Sequence, residues 1–203
     1  MTGRVVLLLL MITVLAGVSP ARAAPTIGGP APAFGGHDTQ GRAISLADFT
    51  GRTVVLEWTN HECPFVRKHY ESGNMQRLQR EAANQGAVWL TIVSSAPGKQ
   101  GHVTAKEANA LTASRGAAPA HVILDETGTI GRLYGAGATP TMVVIRPDQT
   151  IAYMGAIDSI PSARIEDIPK ADNFVRDALA AVAAGEPVGT PLTKAYGCSV
   201  KYP

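Results

Sequence analysis

Hydrophobic positions along this chain fall into two rhythms: short consecutive apolar runs, and stretches with apolar residues three or four apart. Val54, Val55 and Leu56 form a run that predicts a buried strand over Thr53–Thr59. Pro64 follows at a position where a helix can begin, and Phe65, Val66, Tyr70, Met75 and Leu78 supply a helical apolar face, interrupted at Gly73. A second strand fits Ala87–Val93, a second helix Thr104–Arg115 stopped by Gly116, and a third strand His121–Leu124. The turn Asp125-Glu126-Thr127-Gly128 leads into a short helical segment around Ile130–Tyr134. Met142–Ile145 and Ile151–Met154, joined by Arg146-Pro147-Asp148-Gln149, read as an antiparallel hairpin, and Asp172–Ala184 as a closing helix stopped by Gly185 and Pro187. The order β-α-β-α-β-α-β-β-α predicts a three-layer α/β sandwich with a mixed central sheet, antiparallel at the edge that the last hairpin supplies.

Two segments stand outside this rhythm. Arg4 precedes a long uncharged, mostly apolar run from Val5 to Val18, followed by Ser19, Pro20 and Ala21-Arg22-Ala23, the form of a secretory signal peptide cut before Ala24. Residues 24–203 are then read as one domain with a Pro- and Gly-rich lead-in as far as Ala33 and a weakly patterned tail from Gly185 to Pro203. The net charge of +2 belongs to the leader, which carries Arg4 and Arg22, so the remainder is balanced. A neutral domain with no block of Lys or Arg lacks the footprint of a nucleic-acid binder. No second apolar stretch reaches the length of a spanning helix, so stable membrane insertion is not expected after leader cleavage. The reading is periplasmic or secreted, a setting that permits disulfides.

The chemistry concentrates in Asn60-His61-Glu62-Cys63-Pro64-Phe65-Val66-Arg67. Cys63 is expected in the loop past a strand and at the start of a helix, where free amides and the positive end of the helix favour a thiolate. Arg67, one turn on, adds positive charge, and the polar neighbours Asn60, His61 and Glu62 argue against a thiol lost in a core. Cys198 is the only other thiol. The chain from Gly185 to Cys198 can span about 44 Å, against a radius of gyration near 16 Å for a domain of this size, so Cys198 can reach Cys63. Whether such a pair works chemically or staples the fold stays open on sequence, with the helix start favouring a working pair. His61 and Cys63, with His69 nearby, form an alternative soft and imidazole donor set for copper; His37, His102 and His121 have no such pattern. No phosphate loop, dinucleotide fingerprint or serine nucleophile elbow is present, and no cofactor is implied.

The chain resembles the thioredoxin-like superfamily, in its peroxiredoxin-like branch (redoxin, or alkyl hydroperoxide reductase/thiol-specific antioxidant). The likeness rests on Ala31-Pro32-Ala33-Phe34 with His37-Asp38-Thr39-Gln40-Gly41, on Ser45-Leu46-Ala47-Asp48-Phe49-Thr50-Gly51, and on Asn60 to Val66. Leu124-Asp125-Glu126-Thr127-Gly128, Tyr134-Gly135-Ala136, Thr139-Pro140 and Tyr196 to Tyr202 extend it over nearly the whole of 24–203. The resemblance implies a thioredoxin-like fold, Cys63 at the nucleophile position, and Thr139-Pro140 as a cis-proline presenting backbone to substrate. Taken together with the helix-start thiol, this leads to the expectation of a thiol oxidoreductase acting on a peroxide or protein disulfide, with Cys198 as a candidate resolving thiol, Asn60 and Arg67 positioning the substrate, and an external thiol reductant closing the cycle. Two departures stand out. Val66 replaces the second Cys of a C-x-x-C motif, and Leu56 and Asn60 stand where typical peroxiredoxins place Pro and Thr, which removes a peroxide-orienting hydroxyl.

Overall fold

The computed structural model describes residues 24–203, and the leader read at 1–23 lies outside the described residues. A five-stranded mixed sheet forms the centre. Its strands are β3 (Val54–Trp58), β4 (Val88–Val93), β5 (His121–Leu124), β7 (Thr141–Ile145) and β8 (Ile151–Gly155), in the order β5-β4-β3-β7-β8. β3, β4 and β5 run parallel; β7 lies antiparallel to β3, and β8 antiparallel to β7. The β7–β8 hairpin is the expected antiparallel edge. β3, β4 and β7 are buried along their whole length, which explains why they read as continuous apolar runs rather than alternating ones.

The two faces of the sheet are covered differently. Val55, Trp89, Val144 and Tyr153 face α1 (Pro64–Glu71), α2 (Asn74–Asn84) and α5 (Phe174–Ala184), while Val93 and Val122 pack under α3 (Ala105–Ser114). Val54, Leu56, Trp58, Leu90 and Val143 face the other way, onto α4 (Thr129–Leu133) and an N-terminal hairpin of β1 (Gly35–His37) and β2 (Ala43–Ser45). The predicted three-layer α/β sandwich is therefore the observed one. Gly73 does interrupt the first helical stretch: at φ +72° it ends α1 and starts α2 on a new axis. α3 opens on a capping box, Thr104 accepting from the Glu107 amide and Glu107 from the Thr104 amide.

Two pieces differ from the sequence reading. The β1–β2 hairpin was not anticipated, because Gly35-Gly36-His37 carries no strand-like alternation and pairs by backbone alone. The tail is not loose: β9 (Cys198–Ser199) pairs antiparallel with β6 (Ala138–Thr139), just before β7.

Candidate active site

Cys63 is placed by a turn that consumes its polar neighbours. The Thr59 amide still bonds to Ile92 O of β4 (3.0 Å), after which the chain leaves the sheet. Asn60 Oδ1 then accepts from the Glu62 amide (2.9 Å) and Asn60 O from the Cys63 amide (3.0 Å). Glu62 turns outward to take the Gly101 amide (2.6 Å), and Arg115 donates to His61 O (3.2 Å). Cys63 is the N-cap residue of α1 and Pro64 its first helical residue, where the missing N–H costs nothing.

The sulfur nevertheless has no exposed surface and belongs to the apolar cluster of Val55, Val66 and Tyr70. The expectation that polar neighbours keep this thiol out of the core therefore fails. Asn60 is itself buried, its amide spent on the turn, and Cys63 is covered by segments from elsewhere in the chain.

One of these is the Thr139-Pro140 pair, whose peptide bond is cis. The Cys63 thiol donates to Thr139 O at 3.3 Å. The other is the tail. Thr139 is the register partner of Cys198, and its hydroxyl donates to Cys198 O (3.3 Å). Gly197 makes the approach feasible: at φ +127° a Cβ would lie 2.0 Å from Thr139 O. No disulfide joins Cys63 and Cys198, and Cys198 packs against the cluster that holds Cys63.

The surroundings make the pair unequal. Burial pushes the Cys63 thiol up, but donation from the Cys198 thiol, the Val66 amide, the Cys198 amide and the Thr139 side chain outweighs it and holds the thiol below its ordinary value. Val66 is the third residue of α1, and its first-turn amide, which also donates to Cys63 O (3.0 Å), points back toward Cys63. Cys198 moves the other way: burial raises it, and so do its donation to Cys63 and the charge that develops there. Of the two, Cys63 is the thiol whose ionisation is favoured and Cys198 the one that holds its proton.

The remaining residues singled out in the sequence sit apart from this contact. Arg67 is held by Glu71 on the exposed side of α1 (2.8 and 2.9 Å). The His61 ring lines a small cavity with Thr59, Tyr70, Thr91 and Arg115. His69 is wholly buried one turn past the site, near Asp158 (3.7 Å), where burial lowers its pKa to about 4 against the pull of Asp158. Among the described residues no group of three or more His, Cys, Asp or Glu is arranged to hold a metal ion. His121 bonds Asp38 (2.9 Å) and His102 bonds Glu126 (3.1 Å).

Glu57 and Asp158 are buried acids that were not singled out in the sequence. Glu57, on β3, accepts from Tyr70, Trp89, Thr91 and Gln79, yet burial still raises its pKa. An acid inside the run Val54–Trp58 was the available signal. Asp158 forms a buried ion pair with Lys68 (3.0 Å) and accepts from the Tyr196 hydroxyl of the tail.

The family model described as AhpC/TSA matches residues 27–154, and the chain belongs to that family. Similar folds include a hypothetical protein from Sinorhizobium meliloti 1021, 23% identical with a TM-score of 0.73, covering 89% of this chain and 97% of that one. An uncharacterized conserved protein from Geobacillus kaustophilus is 24% identical with a TM-score of 0.74, covering 88% and 93%. A putative thiol:disulfide interchange protein DsbE from Chlorobium tepidum is 23% identical with a TM-score of 0.52, covering 64% and 85%. These likenesses establish the thioredoxin-like fold. No curated protein matches the chain.

Proposed function

We propose that this member of the AhpC/TSA family is an exported thiol–disulfide oxidoreductase, with Cys63 as nucleophile and Cys198 as resolving thiol. The observation that carries the reading is the placement of Cys198, paired through Thr139, over a thiol at a helix start, with the two thiols shifted in opposite directions. A low-pKa thiolate is the attacking species and a neutral thiol beside it is a proton donor.

Cys63 thiolate attacks one sulfur of a substrate disulfide; a Cys63–substrate disulfide forms, and the other substrate sulfur leaves as thiolate and takes a proton. Cys198, once deprotonated, attacks the Cys63 sulfur, releases the second substrate thiol, and leaves a Cys63–Cys198 disulfide. Two electrons have passed to the substrate. An external dithiol reverses the change on the protein and is itself oxidised to a disulfide.

A disulfide suits this site better than a peroxide. Asn60 occupies the position of the peroxide-orienting Thr, and its amide faces the Glu62 amide and Gln100 O (3.5 Å) rather than the sulfur. Thr139 and the cis Pro140 offer backbone beside Cys63. The leader at 1–23 supports export to the periplasm or beyond, where the domain of 24–203 would meet protein disulfides.

The test is reduction of a protein disulfide by the pre-reduced protein, followed by non-reducing peptide mapping. Cys63→Ser is expected to abolish the reaction, and Cys198→Ser to accumulate a covalent complex through Cys63. Unaltered turnover by Cys63→Ser would refute the assignment.

A further inference from the structure

Because Cys63 is wholly buried with Cys198 against it, nothing reaches its sulfur until residues 196–199 move. What their departure uncovers is a built groove. Its floor is main chain. Ala138 and Thr139 pair with Ser199 and Cys198, Gly137 O accepts from the Val200 amide (3.1 Å), and the Ala96 amide donates to Lys201 O (2.9 Å). Such bonds accept any extended backbone and carry no sequence preference.

Its two ends are selective. Tyr202 lies in a slot made by the absence of side chains: a Cβ on Gly128 or Gly131 would stand 2.3 Å from the tyrosine's atoms. Its hydroxyl donates to Ala136 O (2.6 Å), and the Arg132 guanidinium stacks 4.5 Å from the ring centre. At the other end Tyr196 meets the Phe65 ring edge-to-face (5.9 Å) and Lys68 Nζ (5.8 Å), and its hydroxyl reaches buried Asp158. The two aromatic sites stand two residues before and four residues after the position of the cysteine.

We propose that this groove is the recognition site for an extended, cysteine-bearing segment of a partner protein, with the chain's own tail as its tethered occupant. The partner segment displaces residues 196–202, pairs with β6, and places an aromatic side chain in the slot over Gly128 and Gly131. This rests on the assignment of Cys63 as nucleophile. The partner is held because its own disulfide is the oxidant: its S–S bond breaks, a Cys63–partner S–S bond forms, and the leaving sulfur departs as a thiolate that is protonated by solvent. A covalent link offsets the advantage of a tethered competitor, whose effective concentration is on the order of millimolar.

The test uses three chromogenic mixed disulfides of 5-thio-2-nitrobenzoate with the reduced full chain. They are made with a peptide of the sequence Ala195–Pro203, with the same peptide carrying Ala for the tyrosine that follows its cysteine, and with glutathione. In the Tyr202→Ala protein, whose slot is vacated, the tyrosine peptide is expected to react at least about tenfold faster than its alanine counterpart. In the Gly131→Ala protein, whose slot is filled, that preference should disappear. Equal rates for the two peptides in Tyr202→Ala, with the glutathione probe reacting through Cys63, would overturn the groove proposal alone. Failure of all three probes to react at Cys63 would overturn the nucleophile assignment and the groove with it.

Discussion

Replacing Cys198 by Ala and by Ser separates two roles of one side chain. Both variants lose the resolving thiol, both leave Cys63 as the only cysteine, and both put a residue of similar size over it, so the burial of Cys63 is nearly the same in each. They differ in one donor. In the native protein the Cys198 thiol donates to Cys63. A hydrogen bond to a charged acceptor contributes about 1.5–3 kcal/mol, and a thiol, as a weak donor, belongs at the lower end. At about 1.4 kcal/mol per unit, Cys198→Ala should raise the Cys63 pKa by about one unit relative to the native protein. Its thiolate fraction should then fall about tenfold at any pH below both values. Serine keeps a donor, and a stronger one, so Cys198→Ser should leave the pKa at or below the native value. The assay is thiolate absorbance at 240 nm against pH on the reduced variants, checked by the pH profile of alkylation. If the two variants titrate together, the Cys198 hydrogen bond does not set the ionisation of Cys63, and the asymmetry of the pair needs another cause.

Gly197→Ala should drive the tail off Thr139, because the new Cβ meets a backbone carbonyl at 2.0 Å; formation of the Cys63–Cys198 disulfide, followed by loss of titratable thiols, should slow about tenfold or more. Asp158→Ala strands Lys68 unpaired in the interior and should cost about 3–5 kcal/mol in urea unfolding, whereas Lys68→Met combined with Asp158→Leu should recover most of it. Glu57 has its folded pKa raised by burial, so its contribution to stability is present below the unfolded carboxyl value and lost as pH rises through the folded one. Glu57→Gln should therefore gain on the native protein in urea midpoint as pH rises above the unfolded carboxyl value, and parallel pH profiles would contradict this.

The parts of the molecule that sequence made legible are those in which many residues say the same thing. β3, β4 and β7 are mostly apolar runs, each with a single polar residue, because both of their faces are covered, and α1 and α2 repeat their buried positions at helical spacing, so pattern sufficed. Cys63 was found because Pro64 marks a helix start and a thiol there has a physical consequence. The tail has no such redundancy. Tyr196, Gly197 and Tyr202 are isolated positions without a repeat, and they act against Asp158, Thr139 and Gly131, partners far away in the chain and of no special appearance. The burial of Cys63 was misjudged for a related reason: side-chain polarity was read as exposure, while Asn60 was using its polarity internally.

The two thiols meet only because the folded domain carries the intervening stretch of about 135 residues back on itself. Joining them would close a very long loop, and on the chain-entropy account would restrict the unfolded ensemble by about 5 kcal/mol. Linkage makes that figure symmetrical: whatever the bridge lends to folding, folding lends to the bridge. With 30 mV for every 1.4 kcal/mol in a two-electron couple, conformational stability becomes part of the electrochemistry. A substitution in the distant sheet that never touches sulfur is thus able to change how readily this protein gives up its electrons.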